Sequence, residues 1–193
     1  MQTPLVPRFW AEQGVDRVLI DEGSINRRVQ ELGRELSTQF HDGREVVLVA
    51  VLTGAVVFVA DLMRAIPTRV KISMVSVASY GASTQSQGAV LASALPANIA
   101  GKHVIIVDEI LDSGGTIRLL RDRLTAHGAA SVHACVLLRK QRPQALGTPC
   151  ELIGFDIPDV FVVGYGLDFN DEFRNMPFVG VLGDAAIHAR SST

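Results

Sequence analysis

"HVIIVDEILDSGGTI" (residues 103–117) decides how this chain is read. Four β-branched residues, Val104 to Val107, run into Asp108 and Glu109. Ile110 and Leu111 follow, and then Asp112, Ser113, Gly114, Gly115 and Thr116. A continuous β-branched run is the mark of a strand covered on both faces. Two glycines let a backbone come close to a ligand, and the free N–H groups where a helix opens favour a phosphate. Ser113 and Thr116 add hydroxyl donors. The carboxylates need a separate reason, because a phosphate repels them. Asp108 and Glu109 suit a sugar diol or a water-bridged Mg²⁺. Asp112, beside the cradle, suits a proton acceptor. A sugar phosphate with a divalent metal satisfies all of these groups together.

Two rival readings are weaker. The acidic strand alone is reminiscent of a P-loop ATPase, but that fold needs GxxxxGK[ST], and no such string occurs. A structural reading makes Gly114-Gly115 a tight turn and the acids a solvated rim. That explains any one acid more easily than all three at the end of a buried strand.

The flanking chain supplies the fold class. Residues 24–40 show Ile25, Val29, Leu32, Leu36 and Phe40 at helical steps, with Ser24 as the expected cap. "EVVLVAVL" (45–52) reads as a strand, the segment from 56 to 66 as a helix stopped by Pro67, and "VKISMVSVASY" (70–80) as a strand. "GASTQSQG" (81–88) is small and polar, which predicts a mobile loop. After the strand at 103–109 come a helix at 116–128 and strands at 131–138, 161–166 and 178–182. Strand–helix–strand alternation implies an α/β fold, a parallel twisted sheet with helices on both faces. Ligands of such sheets sit at the carboxyl ends of the strands, so the loops at 53–55, 81–88 and 108–116 should face one cleft.

Composition narrows the partners. The chain has 193 residues, of which 48% are apolar and 20% charged, so it reads as one globular domain with a sizeable core. A net charge of −2 argues against a nucleic-acid or membrane surface. The run from Val46 to Ala60 is broken at Thr53-Gly54 and is too short to span a bilayer. Cys135 and Cys150 are too few for a disulfide framework, and no cysteine or histidine spacing suits zinc. "MQTPLVPRFW" carries no basic-then-apolar signal pattern, and a cytoplasmic setting is expected.

The opening stretch resembles the phosphoribosyl-diphosphate-binding signature of type I phosphoribosyltransferases: apolar residues, two acids, two apolar residues, Asp, Ser or Thr, Gly, any residue, Thr. "VAVLTGAVVFVADLMRAI" (49–66), "VASYG" (77–81), "LLRKQRP" (137–143) and "IGFDIPDVFVVGYGLDFNDEFRNMPFVGVL" (153–182) look like the hypoxanthine-guanine members of that family. The resemblance implies a core of roughly residues 40–150 and a small hood built from the N-terminal segment and residues from about 151 to 193. It implies purine salvage, in which hypoxanthine or guanine displaces pyrophosphate from 5-phosphoribosyl-1-diphosphate, with Mg²⁺ as cofactor. Asp112 would meet the purine N7, and Ser113, Gly114, Gly115 and Thr116 would hold the 5′-phosphate. Asp108 and Glu109 would face the ribose and the metal. Lys140 would bind the 6-oxo group, Phe161 would stack on the base, and Val162 would meet its edge. Asp168 would lie by the base and bind metal. Thr53, Gly54 and Arg174 would take pyrophosphate, and Ser79 and Tyr80 would belong to a lid.

Two departures stand out. Thr53 occupies a place where many members have lysine, in a loop where an unusual cis peptide is expected at Leu52-Thr53. The acids run Asp108-Glu109 where purine enzymes often have Glu-Asp, which blurs their division of roles. A homodimer or homotetramer is expected by resemblance. The alternatives are a xanthine-preferring enzyme and a nucleotide-sensing regulator on the same fold. The acidic pI, near 6.2, disfavours a regulator that binds nucleic acid.

Overall fold

The computed structural model describes residues 5–40, 42–79 and 89–191. Helix α1 (Arg8–Glu12) and strand β1 (Val15–Ile20) lead into helix α2 (Glu22–Gln39). Strand β2 (Val46–Leu52), helix α3 (Ala55–Ala65), strand β3 (Val70–Ser79) and strand β4 (Ala89–Leu91) follow. Strand β5 (His103–Leu111), helix α4 (Gly115–Ala126), strand β6 (Ser131–Lys140), helix α5 (Pro143–Leu146) and strand β7 (Leu152–Ile157) complete the larger layer. Strands β8 (Val162–Val163) and β9 (Val179–Leu182) and helix α6 (Asp184–Ser191) close the described chain.

Two sheets result. The larger has the order β4-β3-β2-β5-β6-β7, parallel throughout except for β4 at its edge. The smaller has the order β1-β9-β8 and is antiparallel. β2 sits in the middle of the larger sheet, and its apolar run is buried on both faces. Alternation divides that run between two cores. Val46, Leu48 and Ala50 join α2 and α3 through Ile25, Leu32, Phe58 and Leu62. Val47, Val49 and Val51 join α4 through Ile117, Leu120 and Leu124. A third cluster, including Val15, Val163, Met176 and Phe178, lies beneath the smaller sheet.

Several expectations change in detail. The cap of α2 is Asp21, not Ser24: its carboxylate accepts the Ser24 N–H at 2.9 Å, and Ser24 sits inside the first turn. β5 runs two residues past the acidic pair, because Ile110 and Leu111 continue to pair with Leu138 and Arg139. β6 likewise runs on to Lys140, opposite Ile157. The segment 161–166 is extended only at Val162-Val163, since Gly164, Tyr165 and Gly166 all take positive φ and turn the chain. The tip at 81–88 and Tyr80 lie outside the described residues. Among the described residues no helix is long and apolar enough to cross a membrane. Cys135 is a buried free thiol and Cys150 a partly buried one.

Candidate active site

The carboxyl ends of β2, β5 and β6 converge, as parallel ladders require. Asp108 and Glu109 lie within the last part of β5. Asp108 is buried, and its Oδ1 accepts the Glu109 N–H at 3.0 Å. Burial, and then the neighbouring Glu109 charge, hold the Asp108 carboxyl well above the usual range. Burial also raises Glu109, against the opposing charge of Arg174. Glu109 Oε2 is buried and has no hydrogen-bond partner among the described residues.

Glu109 lies directly on Gly54, where any Cβ would collide with its carboxylate. Gly54 ends the turn after β2, in which the Leu52-Thr53 peptide is cis, and it opens α3. Gly166, from the loop after β8, packs on the Gly54 carbonyl from the other side. Arg174 ties that loop together. Its guanidinium donates to the Gly166 carbonyl at 2.8 Å and pairs with Asp168 at 2.9 Å and Asp171 at 3.0 Å. Tyr165 adds a bond from its hydroxyl to Asp61 of α3 at 2.5 Å.

The cradle after β5 has the expected form. Gly114 takes φ +78° and caps α4, which begins at Gly115. The Ser113 hydroxyl lies 3.5 Å from the Gly115 N–H. The N-cap residue itself, Gly114, has no side chain to cap this helix end, and the N–H groups of a helix's first turn suit an anion. Arg118 braces the loop from behind by donating to the Ser113 carbonyl at 2.9 Å and the Thr148 hydroxyl at 2.5 Å. The sequence reading missed this brace. Thr148 follows an ordinary helix end, and only its burial marks it.

Asp112 and Lys140 come together at 3.2 Å, from the end of β5 and the end of β6. The Lys140 side chain is only 12% exposed, and it also lies 3.2 Å from Asp159. Arg142 pairs with Asp112 and lies 3.4 Å from Asp159. Partial burial raises the Asp112 carboxyl, but the hydrogen bond from Arg142 and the Lys140 charge outweigh it and hold Asp112 below its ordinary value. Arg142 and Asp159 were not picked out from sequence. The basic cluster "RKQR" and the single acid of "IPD" were the available signal.

Phe161 is 40% exposed and meets Phe169 edge-on at 5.3 Å, while Val162 is buried beside it. Ser79 ends β3, paired with Ala89 of β4. The structure therefore brings the candidates together in two groups. Asp112 and Lys140 form one. Gly54, Glu109, Asp168 and Arg174 form the other. Among the described residues no three His, Cys, Asp or Glu side chains form a metal-holding group.

The chain is similar to known proteins along most of its length. The family model described as "Phosphoribosyl transferase domain" matches residues 20–170. A hypoxanthine-guanine phosphoribosyltransferase of Dictyostelium discoideum is 41% identical over 169 residues, covering 86% of this chain and 94% of that protein. One from Mycobacterium avium is 39% identical over 188 residues, covering 93% and 92%. The crystal structure of a hypoxanthine phosphoribosyltransferase from Staphylococcus aureus superposes with a TM-score of 0.84 at 32% identity, covering 91% of this chain and 96% of that one.

Proposed function

The chain belongs to the phosphoribosyltransferase family, and on that premise we propose how its residues divide the work of a hypoxanthine-guanine phosphoribosyltransferase. The enzyme serves purine salvage: a 6-oxopurine attacks C1′ of 5-phosphoribosyl-1-diphosphate, the C1′–O bond to pyrophosphate breaks, and a nucleoside 5′-monophosphate forms. The observation that carries the division of labour is the pairing of Asp112 with Lys140 beside the Gly114 cradle. A carboxylate acceptor and an ammonium donor, side by side, match the N7–H and O6 edge of a 6-oxopurine. Adenine presents an amino donor at that position, which an ammonium group repels.

Asp112 accepts the N7 proton as the new bond forms at N9. Lys140 donates to O6. Phe161 covers the base face, and the Val162 backbone meets its edge. Ser113, Gly114, Gly115 and Thr116 hold the 5′-phosphate on the N–H groups at the start of α4. The Thr53-Gly54 turn and Arg174 take the pyrophosphate, with backbone N–H groups standing in for the lysine that Thr53 replaces. Ser79 and Tyr80 belong to a lid that excludes water.

Mg²⁺ fits the residues present. The buried, unpartnered Glu109 Oε2 and the raised Asp108 carboxyl form a site that a cation would relieve. Magnesium is commonly held by one or two carboxylates plus water and substrate phosphates, so it would need only one or two of Asp108, Glu109 and Asp168 and no three-carboxylate cluster. When bound, it neutralises charge on the departing pyrophosphate. We read the chain as one domain, with a core of roughly residues 40–150 and a hood from both ends, acting in the cytoplasm as a homodimer or homotetramer.

The test is product formation. Protein, Mg²⁺ and 5-phosphoribosyl-1-diphosphate are incubated with hypoxanthine, guanine, xanthine, adenine or uracil. Nucleotide from hypoxanthine or guanine and not from adenine supports the reading. No product from any base, with the sugar diphosphate still bound, overturns it.

A further inference from the structure

Asp112 has two carboxylate oxygens, and in this structure each has its own cation. Lys140 lies 3.2 Å from Oδ2, and Arg142 pairs with Oδ1. Both cations continue to Asp159, Lys140 at 3.2 Å from Oδ1 and Arg142 at 3.4 Å from Oδ2. The four groups close a ring of alternating charge. Lys140 ends β6 and Arg142 caps α5, while Asp159 lies in the turn between β7 and β8.

We propose that Arg142 is a positioning residue: it fixes Oδ1 of Asp112 and leaves Oδ2 to the incoming base. This rests on the transferase reading above. On base entry Lys140 swings its ammonium to the purine O6 and releases Oδ2, which is then free to accept the N7 proton. Arg142 stays on Oδ1, the oxygen that the base does not need, with its second nitrogen 3.4 Å from Asp159. It sets the orientation of the carboxylate and keeps it ionised when the Lys140 charge is shared with the base. The charged groups facing Asp112 are Lys140 from β6 and Arg142 from the segment that follows, with Asp159 behind both. Arg118 of α4 is committed to the Ser113 carbonyl and Thr148.

The test uses Arg142→Gln and Arg142→Lys in the full chain, with thermal melts to check folding. Two quantities are read: the ¹³C-carboxyl titration midpoint of Asp112 by NMR, and the acid limb of kcat/KM for hypoxanthine. An opposite charge this close shifts a carboxylate by about 1–3 pH units. Removing it should raise both readouts by about one unit. Arg142→Lys should recover most of that shift, and the KM for the sugar diphosphate should stay within about twofold, because Arg142 touches no part of the cradle. An unmoved midpoint and acid limb in Arg142→Gln overturns the proposal, however far activity falls. If the wild-type protein makes no nucleotide while the Asp112 midpoint still rises in Arg142→Gln, the positioning holds and the transferase reading fails.

Discussion

Replacing Lys140 with methionine removes one charge and little else. The two side chains are similar in length, and the apolar stem of Lys140 keeps its place along the end of β6. Only 12% of the Lys140 side chain is exposed, so the lost charge is not replaced by bulk water at the same spot. A hydrogen bond from a charged donor contributes about 1.5–3 kcal/mol. At about 1.4 kcal/mol per factor of ten, kcat/KM for hypoxanthine should fall roughly 10- to 150-fold. Asp112 and Asp159 would then share Arg142 alone, so Asp112 protonates more readily and the acid limb moves up. The fall should be much smaller for adenine, whose 6-amino group gains nothing from a cation, so the hypoxanthine-to-adenine ratio should collapse. Steady-state rates with both bases, alongside calorimetric binding of the sugar diphosphate, give the answer. A folded Lys140→Met variant that keeps hypoxanthine kcat/KM within about threefold of wild type would refute the assignment of O6 to Lys140.

Asp112→Asn should lower turnover by about 10²–10⁴-fold while sugar-diphosphate affinity, read by calorimetry, stays near wild type. Unchanged turnover would remove Asp112 from proton transfer. Gly166→Ala places a Cβ against the Gly54 carbonyl at φ +99°, so chemical denaturation should show a loss of about 1–3 kcal/mol and kcat should drop as the Thr53-Gly54 turn shifts. A variant as stable and active as wild type would show that this contact is slack. Glu45 lies 2.6 Å from Lys71 and 2.8 Å from Lys102, whose hydrogen bonds pull its carboxyl down to about 2 from 4.5. A depressed carboxyl stabilises the fold above the ordinary value and loses that contribution as pH falls through the folded one. Glu45→Gln should therefore lower Tm at neutral pH, by an amount that salt reduces, and the gap should close between pH 4.5 and about 2. A gap independent of pH would contradict the pairing.

The parts legible in the sequence are those encoded by local pattern. The β-branched runs of β2 and β5 mark strands buried on both faces, and the glycines of the Ser113–Thr116 loop mark the turn where α4 opens. The helical spacing of Ile25 to Leu36 marks α2, but "DEGS" offers two capping residues, and only the extended backbone of Asp21 decides between them. β1 was missed because its partner, β9, lies more than 150 residues away and its own alternation is broken by bulges. β7 was missed because Gly154 and Asp156 interrupt its apolar pattern, and pairing with β6 supplies what propensity does not. The burial of Lys140 has a similar cause: no local signal shows that β6 continues until Ile157 pairs with it. The Arg142–Asp159 half of the charge ring depends on two loops meeting in space, which neither loop encodes alone.

The most direct test of the account is a crystal structure of the protein with its nucleoside 5′-monophosphate product bound. The account predicts the phosphate on the backbone N–H groups of 113–116, the purine O6 within hydrogen-bond reach of Lys140 Nζ, and N7 facing Asp112 Oδ2. A phosphate held elsewhere, or a base whose O6 points away from Lys140, would contradict it.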